Sequence, residues 1–191
     1  MTEKIVNIIT YKIYKQNIIS HCDLRKMNYA MLTLLNELIK TIILFVYFLA
    51  IQRFDLFLFS YLILVSIRSI SGGLHLDTNL KCFIVSFIFF NITVLSAPFL
   101  TNIPTYFEYI IIFSSILIIY WFSPMPSLHR PIKDKNIIHK SKYISTIITI
   151  IWVSIFYLII EEPVFFSIGL LTILLQGTQL LIGRRHSHGR M

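Results

Sequence analysis

The sequence alternates between long apolar runs and short polar breaks. A membrane-crossing helix needs about 20 mostly apolar residues. Six runs approach or meet that length: 30–51, 56–67, 78–98, 106–122, 143–160 and 164–182. The second is short for a crossing unless it continues through Arg68 and Ser69 to the glycines that follow. The breaks are a polar turn at 21–26, Gln52-Arg53-Phe54-Asp55, Thr101-Asn102-Ile103-Pro104, Ser123-Pro124-Met125-Pro126, a long polar loop at 127–142, and Glu161-Glu162-Pro163. Proline cannot continue a helical ladder, so Pro124 and Pro126 stop the fourth run. Before the first run, Lys4, Lys12 and Lys15 alternate with Ile5, Ile8, Ile9, Tyr11, Ile13 and Tyr14. This pattern predicts an interfacial amphipathic helix within residues 1–28. It lacks the unbroken apolar block and small-residue site of a cleavable secretory signal. The expected fold is an all-α polytopic membrane protein of about six transmembrane helices, with a broken, loop-containing segment between the second and third.

Composition supports a bilayer as the solvent. The chain has 191 residues, 56% hydrophobic and only 14% charged. A soluble domain carries about a quarter charged residues, and a chain this short cannot bury so much apolar surface in one core. The net charge is +8. A nucleic-acid module would place such charge on one basic face; here it is spread over the breaks. With six crossings both termini share a side, and 15 of the 17 Lys and Arg fall on that side. Of the rest, Arg53 lies opposite and Lys40 within the first run. The positive-inside rule then predicts cytoplasmic termini, with the polar stretch between the second and third runs and the basic loop on the same side. Cys22 and Cys82 are too few for a disulfide framework and are expected to be reduced. His186 and His188 read as part of a basic, solvated tail over 183–191, without the further ligands of a metal site. No internal repeat suggests a transporter built from two halves.

Reactive side chains gather only where the second run passes into the third, Arg68-Ser69-Ile70-Ser71-Gly72-Gly73-Leu74-His75-Leu76-Asp77-Thr78-Asn79-Leu80-Lys81-Cys82. A thiolate is the reactive form of cysteine, and an imidazole can take its proton. On one straight helix His75 and Cys82 would lie about 10 Å apart along the axis, at 1.5 Å per residue. That is too far for proton transfer, so the chain must bend between them. Asp77, Thr78 and Asn79 are helix-capping residues. A cap at Thr78 would put Cys82 in or just beyond the first turn of the third helix, where a thiolate is favoured. Other roles stay open. The cysteine can be an apolar filler, the histidine interfacial and Gly72-Gly73 a packing site. Asp77 can orient the imidazole or cap the helix. Arg68 can bind a carboxylate, steady the loop or anchor the membrane edge. In the first run, Glu37 and Lys40 share a helix face and can pair. Ionisable groups at membrane depth rarely face lipid. Asn36 and Glu37 are therefore substrate-binding candidates, with a structural ion pair as the alternative.

The run Arg68-Ser69-Ile70-Ser71-Gly72-Gly73-Leu74-His75, followed by Cys82, resembles the signature of the accessory gene regulator B family, AgrB. These are bacterial membrane endopeptidases of quorum sensing. The chain length, the polar residues of the first run, the Ser123-Pro124 stop and the Arg130-Pro131 basic loop fit as well. The resemblance implies one AgrB-like membrane domain over 1–191, with residues 30–182 forming the bundle. It implies His75 as general base and Cys82 as nucleophile, with no cofactor and no metal. Cys82 would cut a precursor peptide after its signal segment and hold that segment as a thioester. Attack by a cysteine or serine of the peptide would then close a thiolactone or lactone ring. Exchange of one thioester for another needs no ATP, provided water is kept from the intermediate. The implied partner is a small amphipathic, AgrD-like peptide with an acidic C-terminal tail. Arg130, Lys133 and Lys135 would attract that tail; alternatively, the loop cations only enforce topology. Membrane lipid and a second copy of the chain, as a homodimer, complete the expected partners, and nucleic acid is not among them. The expected location is the bacterial cell membrane, with the site on the cytoplasmic side.

Two rivals come from other classes. A small permease or peptide exporter needs a polar path, yet the runs hold few polar candidates beyond Glu37, Lys40 and Asn91. A phospholipid-modifying metalloenzyme needs clustered carboxylates, and the sequence shows no such cluster.

Overall fold

The computed structural model describes residues 2–15, 20–73, 78–125 and 134–188. Every long element among them is an α-helix: α1 (Thr2–Lys15), α2 (His21–Ala50), α3 (Phe54–Ser71), α4 (Asn79–Ser96), α5 (Thr105–Phe122), α6 (Lys135–Leu158) and α7 (Pro163–His188). A single 3-10 turn, Ala97–Leu100, extends α4. Six of the helices, α2 to α7, are long and apolar enough to cross a membrane.

Three boundaries differ from the sequence expectation. Residues 21–26 are not a turn but the start of α2. Ser20 Oγ accepts the Asp23 N–H at 3.2 Å, and Lys26 pairs with Asp23 at 3.2 Å. The polar residues are thus a helix-start signal. The N-terminal helix accordingly ends at Lys15 and does not run through residue 28. Likewise α6 begins at Lys135, because Asp134 accepts the Asn136 N–H at 2.9 Å. The basic loop is shorter than expected, and Lys135, Lys140 and Lys142 are helical. At the other end α7 runs to His188, well past the expected limit at 182. The second run does continue to the glycines, and α5 stops at Phe122 before Ser123-Pro124.

The chain forms two compact units, Met1–Gln52 and Arg53–Met191. In the first, α1 packs along α2. Asn28 Nδ2 donates to Asn7 Oδ1 at 3.1 Å and to Thr10 Oγ1 at 3.3 Å. The outer faces of α2 stay apolar at Leu34, Leu38, Ile42, Val46 and Leu49.

In the second unit α7 packs against α3 and α5, and α6 packs against α3 and α5. The core joins Ile63 and Ile67 of α3, Ile119 of α5, Phe156 of α6, and Ile173 and Leu180 of α7. More than half of the α7 span is buried, against 17% for α5, so α7 is the central post. Gly169 leaves room there for the buried Phe156 ring. The outward faces of α5 and α6 carry Phe113, Trp121, Ile147 and Ile151, which suits lipid rather than water. Polar groups inside the unit pair across helices, as they must where water is scarce. Ser60 and Thr172 hydroxyls lie 2.8 Å apart, Ser123 and Ser145 hydroxyls 2.9 Å, and Trp152 Nε1 donates to Ser66 Oγ at 2.7 Å.

Candidate functional site

The helix that leads into the reactive stretch ends on a glycine with a defined job. At Gly72 the backbone turns to φ 74° and ψ −167°. That region is essentially confined to glycine. Gly72 N–H closes the last turn on Arg68 O at 2.9 Å. A side chain at 72 would also meet the Met125 carbonyl at 3.0 Å.

Two other segments hold this turn. Met125 N–H donates to Ser71 O at 2.9 Å, so the stretch after α5 clasps the end of α3. From α7, Gln176 Nε2 donates to Ser71 Oγ at 3.0 Å and to Gly72 O at 2.9 Å. One turn on, Gln179 Oε1 accepts from Arg68 Nη1 at 3.1 Å. The Arg68 guanidinium then lies against Gly73, where a Cβ would come within 2.6 Å of its Nε. Arg68 is thus tied to α7 beside the turn. Gly73 is a packing glycine: its missing side chain is the space the guanidinium fills.

On the far side of the break, Thr78 is extended (φ −124°, ψ 144°) and caps α4, accepting the Lys81 N–H at Oγ1 at 3.3 Å. α3 thus ends at Ser71, and Cys82 belongs to a separate helix that starts at Asn79. Cys82 is the fourth residue of α4, and its N–H makes a helical bond to Thr78 O at 3.1 Å. Its thiol is free and half-buried. Thr78, Asn79, Leu80 and Lys81 around it are exposed.

His75, Asp77, Arg130 and Lys133 lie outside the described residues. Lys135 is exposed at the first position of α6. Asn36 and Glu37 belong to the first unit. Glu37 does pair with Lys40, at 2.8 Å, with the ammonium mostly buried and the carboxylate more than half exposed. Lys142, expected in the basic loop, lies over the Tyr120 ring at 4.2 Å, a cation–π contact between α6 and α5. Among the described residues no three His, Cys, Asp or Glu side chains gather as metal ligands would.

Gln176 and Gln179 were missed by sequence reasoning. A signal was present: Gln176-Gly177-Thr178-Gln179 is a polar quartet inside an apolar run. Two amides three residues apart share a helix face, and amides in a crossing helix seek partners on other helices.

Comparison with known proteins agrees with this picture. The profile of the family described as accessory gene regulator B, AgrB, matches residues 6–180. A Clostridium beijerinckii protein described as AgrB-like is 34% identical over 152 residues, covering 80% of this chain and 75% of that relative. No solved structure matches. The match takes in the glycine turn, the capped helix that carries Cys82, and the apolar helices on both sides of them. On that coverage the chain belongs to the accessory gene regulator B family and is a multi-pass membrane protein.

Proposed function

We propose that this protein is a membrane cysteine endopeptidase that cuts a small precursor peptide and cyclises the signal segment. Family membership supports a role in processing a quorum-sensing autoinducer in general. One observation carries the finer chemistry: a free, half-buried cysteine near the start of a capped helix, which follows in sequence a glycine turn held by two other segments.

In this reading His75 takes the Cys82 thiol proton, and the thiolate adds to the peptide carbonyl. The tetrahedral adduct collapses, and the C–N bond breaks. The imidazolium returns its proton to the leaving amine, so the C-terminal tail departs neutral at that nitrogen. The signal segment stays on Cys82 as a thioester. A thiol or hydroxyl within the segment then attacks the same carbonyl, its proton passing to the now neutral imidazole, and Cys82 leaves as the thiolate. The ring that forms is a thiolactone or a lactone. The glycine turn would direct the histidine two residues beyond Gly73 toward the cysteine. Arg130, Lys133 and Lys135 would attract an acidic tail from the cytoplasmic side.

Cutting of a co-expressed precursor tests the reading. Cys82→Ala is expected to abolish both cutting and ring formation, since both pass through one thioester. Cys22→Ala is expected to cut normally. Full cutting by Cys82→Ala would remove the peptidase assignment. Sidedness is tested separately: a reporter fused at Lys135 should read cytoplasmic and one at Asn102 external, and the reverse would overturn the orientation.

A further inference from the structure

Gln176 is fully buried in α7, and its amide does two things at once. Its nitrogen donates to Ser71 Oγ at 3.0 Å and to Gly72 O at 2.9 Å. A carbonyl accepts only, so the contact to Gly72 O fixes which end of the amide faces the turn. The other end, Oε1, has no hydrogen-bond partner among the described residues. A buried orphan acceptor is unfavourable, and a leucine would fill similar space without it. Stability alone therefore does not account for an amide here. The amide does provide direction. It pins the Gly72 peptide plane in a glycine-only conformation while Met125 N–H holds Ser71 O. Three residues along the same helix, Gln179 holds the Arg68 guanidinium against Gly73.

We propose that Gln176, with Gln179 behind it, is a positioning residue: it fixes the direction in which the chain leaves α3, and through that the reactivity of Cys82. This rests on the peptidase reading, in which His75 takes the Cys82 proton, and it adds a helix remote in sequence to that site. The charged or titratable residues on α4 and on the helices packed with it are, besides Cys82, Lys81 of α4, Asp55, Tyr61 and Arg68 of α3, and Arg184, Arg185, His186 and His188 of α7. All of them remain in a Gln176→Leu variant, so both proteins carry the same charges.

The test needs no precursor. In the full chain carrying Cys22→Ala, reconstituted in lipid vesicles, alkylation of Cys82 by iodoacetamide is followed from pH 6 to pH 10. Thiolate is the species that reacts. His75→Ala is expected to slow alkylation at pH 6 by about tenfold, the equivalent of one pKa unit, and to converge with the parent at pH 10. Gln176→Leu should reproduce that pH-selective loss with the protein still folded. A purely structural role would instead change the rate by a similar factor at every pH. That result, or a parent-like profile, overturns the inference while His75→Ala still supports the Cys–His pair. If His75→Ala itself leaves the profile unchanged, the peptidase reading fails and the inference fails with it. Should Gln176→Leu not accumulate, Gln179→Leu is read in the same assay. It frees Arg68 while keeping Gln176, and it should give a smaller loss of the same pH-selective kind. A parent-like profile for Gln179→Leu would overturn the proposal.

Discussion

The two helix ends that border the break are built differently. The C-terminal end of α3 is buried at Ser71 and Gly73 and is held by α7, by Met125 and by a glycine-only backbone turn. The N-terminal end of α4 is exposed from Thr78 to Lys81, and its side-chain cap is one threonine hydroxyl. One end is over-determined; the other is open to its surroundings. In the proposed function this division would hold one group in a set direction and leave the other end accessible to a peptide. It also predicts where the molecule tolerates change. Substitutions at the α3 end should disturb chemistry strongly, and substitutions at the α4 start should disturb it weakly, Cys82 excepted.

The largest effect expected from this contrast is at Gly72. Gly72→Ala must leave the φ 74° turn and back away from the Met125 carbonyl. Cutting in single-turnover assays should fall by about 100-fold, the scale of a misplaced reacting group. Near-parental cutting would show that the turn does not direct the site. Gly73→Ala should be milder, about tenfold on the same scale. The atoms in its way belong to the Arg68 side chain, which can swing aside. Combined with Arg68→Ala, the loss should not add, because both changes break one contact. Full additivity in that cycle would separate Gly73 from Arg68.

At the open end, Thr78→Ala removes the cap of α4 and should cost about 1 kcal/mol of local helix stability. Faster hydrogen exchange at the Lys81 and Cys82 amides would report it, with cutting reduced by no more than about fivefold, since 1.4 kcal/mol is worth tenfold. A collapse of activity would mean that the α4 start is as constrained as the α3 end. The smallest effect belongs to Lys135→Ala. Lys135 is exposed, so its attraction for an acidic tail should be weak and visible only at low salt. A loss that persists at high salt would point to a direct contact instead.

Much of the fold was legible because lipid imposes a simple rule: long apolar runs cross, and polar breaks turn. The rule misread residues 21–26 and 135–142, because it treats a polar residue as a turn. Ser20 and Asp134 instead cap helices whose first turns are polar. The start of α4 was legible in part: Asp77, Thr78 and Asn79 are all capping residue types, and the helix is capped at Thr78. The partners of the glycine turn were not. Gln176 and Gln179 stand more than a hundred residues from it, and their pairing depends on how α7 packs against α3. Only the presence of two amides in an apolar run hinted that they had partners.

The central claim is that Cys82 carries the cut peptide as a thioester. The direct measurement is mass spectrometry of the purified protein in lipid vesicles after mixing with the precursor. An adduct of the signal segment should map to Cys82, disappear on treatment with hydroxylamine, and be absent from Cys82→Ala. An adduct mapped to Cys22, or cutting that proceeds with no adduct in the Cys82→Ala protein, would contradict the account.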